Sequence, residues 1–267
     1  MLRGQPATLL LGLTMIGVWL VTAALAPWLA PADPAAIALD AMEQRPSMEH
    51  LLGTDNYGRD MLSRVLHGGR HVLAIAPAAT LLGLLLGSVV GIAAAYAGGW
   101  MDELIMRLLD AIMAFPVVVL ALLALTALGP STLNVILVIG LVFAPLIART
   151  ARAAALVEAR REYVQAARLR GESVGYILLR EILPNIRGPL AVEGTIRLGY
   201  AVFTSATLGF LGLGIQPPAP DWGVMVSENR SLLIHAPWTV LAPAAAIAFV
   251  VIAFSLVADG LRERDEA

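Results

Sequence analysis

The sequence predicts an all-α, polytopic membrane protein with about six transmembrane helices. The chain is 58% hydrophobic and only 14% charged, with a mean hydropathy of +0.78, a composition foreign to ordinary soluble domains. Its uncharged residues also fall into runs, at 4–32, 72–101, 111–148, 198–220 and 231–258, each long enough to cross a hydrocarbon core of roughly 30 Å as a helix. Backbone polar groups in lipid must be satisfied within their own segment, which leaves the helix as the form these runs can take.

The first run follows Arg3 and resembles a secretory signal, with Ala24-Leu25-Ala26 as a cleavage-like site. It is longer than the apolar core of such signals, about 7–15 residues, and its loss would leave an odd number of spans, so it reads as the first span. Segment 31–71 is the largest external connection, and 1–71 is expected to comprise the first helix and this loop. Within it, Asp55 is a candidate N-cap and Gly58 a candidate tight turn ahead of a short amphipathic helix carrying Met61, Leu62, Val65 and Leu66. The main transmembrane domain is expected over 72–262, opening with the second span. After the Gly98-Gly99 turn, Glu103, Arg107 and Asp110 share one helical face, opposite Leu104, Ile105, Leu108 and Leu109. This is an interfacial helix running into span three, with Pro116 as a kink site. Gly129-Pro130-Ser131 divides run 111–148 into spans three and four. Runs 198–220 and 231–258 supply spans five and six, with Asp259 ending the last.

Six spans place both termini on one side, and the arginines say which. With the N-terminus inside, Arg3, Arg107, Arg149, Arg152, Arg160, Arg161, Arg168, Arg170, Arg180, Arg187, Arg262 and Arg264 are cytoplasmic; Arg45, Arg59, Arg64, Arg70 and Arg230 are outside, and Arg197 sits near the start of span five. Twelve against five predicts an N-in, C-in topology.

Composition also excludes chemistry. With no Cys there is no disulfide, thiolate nucleophile or Cys-based metal site. All 18 basic residues are Arg, and a Walker A phosphate loop needs Lys to reach the nucleotide phosphates. The chain therefore cannot be such an ATPase alone, and it lacks a Schiff-base lysine. No catalytic residue, cofactor or nucleic-acid partner is expected. His67 and His71 stand at i, i+4, but without a third ligand they read as an interfacial pair with no metal.

The basic segment 149–187 holds eight arginines between two apolar runs, which makes it a soluble-facing surface open to a cytoplasmic partner. Good helix formers dominate from Glu158 to Arg170, and Gly171 follows as a C′ residue would. Ser173 is a capable N-cap for a second short helix that must end before Pro184. Two short helices meeting at a glycine form a bracket on which a cytoplasmic partner could dock. Ala166 and Ala167 would permit close approach, and Glu162, Arg168 and Arg170 would offer charged contacts at the rim. A solvated basic loop that only sets topology is the plainer alternative.

At these residues the chain resembles the EAA loop of ABC importer permeases, in Gln165-Ala166-Ala167-Arg168-Leu169-Arg170-Gly171 and Glu181-Ile182-Leu183-Pro184. It departs from that pattern at Gln165 and Glu181. The stretches 52–64, 98–116, Phe210 to Gly223, Ala236-Pro237-Trp238 and Asp259-Gly260-Leu261-Arg262 resemble the C-type permease subunit of dipeptide, oligopeptide and nickel importers, one of the binding-protein-dependent inner-membrane components. The resemblance implies a type I ABC importer permease fold in a bacterial inner membrane. It implies as partners a homologous B-type permease, cytoplasmic ATP-binding subunits and an extracytoplasmic solute-binding protein. It makes 149–187 the coupling segment and Glu162, Tyr163, Gln165, Ala166, Ala167, Arg168, Gly171 and Pro184 the ATPase-docking surface.

Glu193 and Arg197, at i, i+4, are expected to pair, with burial at a subunit interface as the preferred setting. In the loop 212–235, Gln216, Asp221 and Trp222 are candidates for an external gate or a binding-protein contact; a rigid closing loop is the alternative. A self-contained secondary transporter remains the other function class, but it would show inverted repeats or ionisable residues at mid-membrane, and neither is visible. The apolar, weakly polar spans suit peptides better than a bare nickel ion, which wants soft or imidazole ligands. Peptide import is the expected function, with nickel-complex import second.

Overall fold

The computed structural model describes residues 6–266, so Arg3 falls outside the described residues. Among the described residues the regular structure is helical, apart from one isolated bridge between Thr54 and Asp60.

The first run forms α1 (Ala7–Ala24) and, after Leu25, the short α2 (Ala26–Leu29). An external segment leads to α3 (Met61–Ala97), a single helix of 37 residues. The expected amphipathic lead-in is thus the first turns of the second span, and residue 72 lies inside α3. Gly58 makes the tight turn, at φ +72°. The N-cap is Asp60 rather than Asp55, its carboxylate accepting the Ser63 N–H at 2.7 Å.

α4 (Gly99–Met113) and α5 (Val117–Leu128) meet at 82°. Pro116 lacks an N–H and disfavours helix in the residue before it, so the predicted kink is a full break. α5 has 12 residues, about 18 Å of helix, and cannot cross a bilayer alone. Ser131 caps α6 (Thr132–Glu158) by accepting the Asn134 N–H at 3.1 Å. α6 continues well past its apolar run, so the basic segment begins as helix already rooted in the bundle. The bracket follows as α7 (Glu162–Leu169), α8 (Val174–Tyr176) and a π-helical turn at Ile177–Ile182.

α9 (Arg187–Phe210) departs from its predicted run. It starts earlier, taking in Arg187, Glu193 and Arg197, and stops where Gly212 turns the chain at φ +85°. The early charges are tolerated because Arg197 Nε donates to Glu193 at 2.6 Å; neutralised in pairs, they can enter a helical bundle. Thr150 of α6 donates to the same carboxylate at 3.2 Å. The pair therefore also makes a contact within the chain, between α9 and α6. After α10 (Trp222–Asn229), α11 (Trp238–Glu266) closes the bundle, and Asp259 lies within it rather than at its end.

α1, α3, α6 and α11 are each long and apolar enough to cross a membrane, and α4 with α5 qualifies as one bent pair. α9, 24 residues long but less apolar than these, makes the sixth pass of the bundle. α3 and α6 run parallel, Gly83, Gly87 and Gly91 facing Gly140, Ala144 and Ala148, whereas α9 runs against α3 and α1 against α11. Even passes bring the described ends together: Thr8 Oγ1 donates to Glu263 Oε2 at 3.1 Å.

Candidate functional site

At one end of the bundle, the coupling segment is seated rather than loose. Val164 and Ala167 are fully buried and meet Ile92 and Ala95 of α3, Ala151 and Ala155 of α6, and Ile177 and Ile182 of the π-helical turn. Each buried Ile contributes about 1.5–3 kcal/mol by leaving water, so the bracket is anchored to the bundle. Gly171 adopts φ +77°. Its N–H bonds to Arg168 O at 3.0 Å and the Glu172 N–H to Ala167 O at 3.2 Å, the two-bond closure that a left-handed C′ residue permits. Ser173 caps α8 by accepting the Tyr176 N–H at 3.3 Å, as its sequence position predicts. Arg170 lies 3.5 Å from Glu172 and 3.6 Å from Glu181, joining the two arms.

The predicted docking residues divide between two faces. Glu162, Gln165, Ala166 and Leu169 are exposed, Leu169 at 91%. Ala167 points inward, correcting the expectation that both alanines offer a close approach. Consecutive helical residues lie about 100° apart, so one of the two must face away. Arg168 is exposed at the rim and stacks its guanidinium over the Tyr96 ring at 4.5 Å, tying the bracket to α3. Tyr163 donates to Glu158 Oε2 at 2.6 Å. Burial, then the Glu158 carboxylate, push the Tyr163 phenol up to about 12. A raised phenol favours the protonated donor, so this contact persists at neutral pH and is lost only as pH rises through that value. Gln165 Nε2 reaches Ala159 O at 3.3 Å, and Pro184 is exposed where the second arm turns into α9. Beside it an apolar groove of about 960 Å³ opens, with Leu84, Val89, Leu178, Leu183 and Leu190 in its walls.

At the opposite end, the candidate gate residues are mostly structural. Asp221 is buried and caps α10, accepting the Val224 N–H at 3.0 Å. Burial pushes its carboxyl above the usual range, against the opposing pull of backbone N–H groups. Trp222 is buried, its Nε1 donating to Val65 O at 2.9 Å, and its ring fills the space over Gly68. Gln216 is exposed and hydrogen-bonds Gly212 O and Gly214 O. Of the three, only Gln216 has the accessibility of a gate or contact residue. Trp222 fixes α10 to α3, while Asp221 sits against Gly209 of α9 and a Cβ at Gly223 would come 2.0 Å from Ala206 O of that same helix. His67 Nδ1 pairs with Ser63 O at 2.9 Å, while His71 borders the pocket that holds Asp221. Among the described residues no cluster of three metal-ligating side chains forms.

Sequence reasoning missed the ion-pair cluster that pins the external segment. Asp55, fully buried, accepts from the backbone N–H groups of Tyr57 and Arg59 and from Arg59 Nε at 2.6 Å. Arg59 also reaches Glu228 at 2.9 Å, and buried Arg64 donates to Pro34 O at 3.0 Å. The dense polarity of 54–64 was its only local signal, since the partner Glu228 is remote in sequence.

A helical bundle of six passes with a compact two-armed bracket fixed at one end defines a membrane permease domain. Its fold is that of an ABC importer permease. The chain belongs to the family described as binding-protein-dependent transport system inner membrane component, which matches residues 83–264. It is 42% identical over 253 residues to a putative peptide transport system permease protein of Brucella suis, covering 95% of this chain and 85% of that one. It is 38% identical over 254 residues to the dipeptide transport system permease protein DppC of Alkalihalophilus pseudofirmus, covering 95% and 84%. Among solved structures, a chain of the MetNI methionine ABC transporter in inward-facing conformations superposes with a TM-score of 0.63 at 19% identity. That match spans 74% of this chain and 94% of the other, and it speaks to the fold alone.

Proposed function

We propose that the chain is the peptide-conducting half of an ATP-driven importer and that α7, from Glu162 to the Gly171 turn, is the element through which ATPase subunits drive it. The observation that carries this reading is the division of α7. One side is buried against the π-helical turn in an apolar cluster shared with α3 and α6, and the other leaves Glu162, Gln165, Ala166 and Leu169 exposed. A loop that only set topology would not need such a seat. Having no lysine for a phosphate loop, the chain takes its energy from elsewhere. ATP then shifts the permease between two states in proportion to the difference in how the docked ATPase meets each.

In this reading the bracket, both termini and the Asp102–Arg152 end of the bundle are cytoplasmic, and the Arg59–Glu228 end is external. A homologous permease completes the pathway, and a solute-binding protein delivers to the external end. Peptides are the substrate class favoured by the names of the relatives and by the apolar, weakly polar character of the spans. A nickel complex is the second reading.

The test is Gly171→Val. No atom would obstruct the new side chain, so the change acts through backbone strain of roughly 1–3 kcal/mol at a positive φ. Assembly should survive, while transport and substrate-stimulated ATP hydrolysis fall together; normal stimulated hydrolysis would sink the assignment. Deleting the gene should abolish growth on di- or oligopeptides as sole source of a required amino acid and spare nickel-enzyme activity. The reverse outcome would replace the substrate and keep the architecture.

A further inference from the structure

We propose that α4 is a second transmission element, driven by the root of the coupling segment through the ion pair Asp102–Arg152, with Asp110–Arg149 as a weaker rung. This rests on the reading of α7 as the ATPase contact. α6 runs unbroken to Glu158 and enters α7 after three residues, so displacement of α7 acts first on the last turns of α6. Arg149 and Arg152 lie there, one turn apart, and α4 presents Asp110 and Asp102 to them.

Arg152 engages Asp102 with both arms of its fork, Nε to one carboxylate oxygen and Nη2 to the other, each at 2.5 Å. The two-point geometry fixes orientation as well as distance. Asp102 is buried, at 8% exposure. The Arg149–Asp110 contact, at 3.3 Å, is solvent-exposed and screened. Glu103 and Arg107 pair on the same helix, so the charges between α4 and α6 balance.

Besides α6, α4 packs mainly against α3, the helix before it. Trp100, Leu104, Leu108 and Ile112 are exposed along its outer side, as for a helix lying against lipid. One end of α4 hangs from Gly98 and Gly99, both at positive φ with nothing within 4 Å of the place a Cβ would take. The other end breaks at Pro116 and bends 82° into α5. A helix jointed at both ends and held to α6 by these pairs follows them, so movement of the α6 root is passed to the short α5 span.

The experiment uses the complete importer in proteoliposomes with its partner permease, ATPase subunits and binding protein. The variants are Asp102→Asn, Arg152→Gln and the exchange Asp102→Arg with Arg152→Asp. Each single variant should assemble and keep unstimulated ATP hydrolysis, but lose transport and binding-protein-stimulated hydrolysis at least fivefold. The exchange should restore at least half of both. Because the chain has no cysteine, spin labels at Val18→Cys on α1 and Leu108→Cys on α4 can report the distance between them. ATP should change that distance in the otherwise native chain and not in Asp102→Asn. Variants that transport normally, or an ATP-dependent distance change that survives Asp102→Asn, would overturn the proposal while leaving the α7 assignment intact. Failure of the native chain to couple to any ATPase would remove both.

Discussion

The contact between α3 and α6 offers a substitution whose outcome can be worked from geometry. Gly83, Gly87 and Gly91 recur every four residues and let the two backbones approach as small residues do in membrane bundles. A Cβ on Gly91 would lie 2.3 Å from Ala148 O and 2.9 Å from both Ala151 Cβ and Arg152 N. Ordinary contact begins at 3.4 Å, so Gly91→Ala requires α3 and α6 to part by about 1 Å. Overpacking of this kind costs roughly 1–3 kcal/mol, partly offset by the gain of about 0.5–1 kcal/mol for Ala over Gly within a helix. Gly17→Ala on α1 is the matched control, because nothing lies within 4 Å of its Cβ position and only the favourable effect remains. The helix gain is common to both, so the two variants should differ by the overpacking cost, roughly 1–3 kcal/mol, or about 2–12 °C in melting midpoint at this chain size. Fluorescence-detected size exclusion after graded heating in detergent measures this. Equal midpoints, or a Gly91 variant more stable than the parent, would refute the close-packing account. Since the Arg152 backbone borders Gly91, transport should also fall more steeply than membrane abundance.

Two further outcomes follow from the same physics. Ser47→Cys and Ser231→Cys should react with an impermeant thiol reagent in intact cells and Ser173→Cys only after lysis; labelling of Ser173→Cys before lysis would invert the topology. Arg59→Ala removes the nearer arginine from fully buried Asp55 and from Glu228, leaving Arg64 at 3.7 and 4.0 Å, which should cost up to about 3–5 kcal/mol. A native melting midpoint in that variant would mean that the external segment is held by its apolar contacts alone.

Much was legible in the chain because lipid imposes so few solutions. Apolar runs had to be helices, the glycine and Pro116 breaks lay where the sequence put them, and Gly171 and Ser173 announced the ends of the bracket through their own backbone preferences. These are local effects, decided within a turn or two of helix. Tertiary structure decided what depends on partners remote in sequence. Span five begins among charges because Glu193 and Arg197 neutralise each other against Thr150 of another helix. Trp222 is packing rather than gate because Gly68 leaves room for its ring, and Ala167 faces the core while Ala166 faces out because α7 has a seat. Asp102 acquires its partner only when the fold brings Arg152, fifty residues on, against it. Hydropathy and local backbone preference are properties of short segments, whereas the pairing of a buried charge and the depth of a glycine contact exist only once the helices have come together.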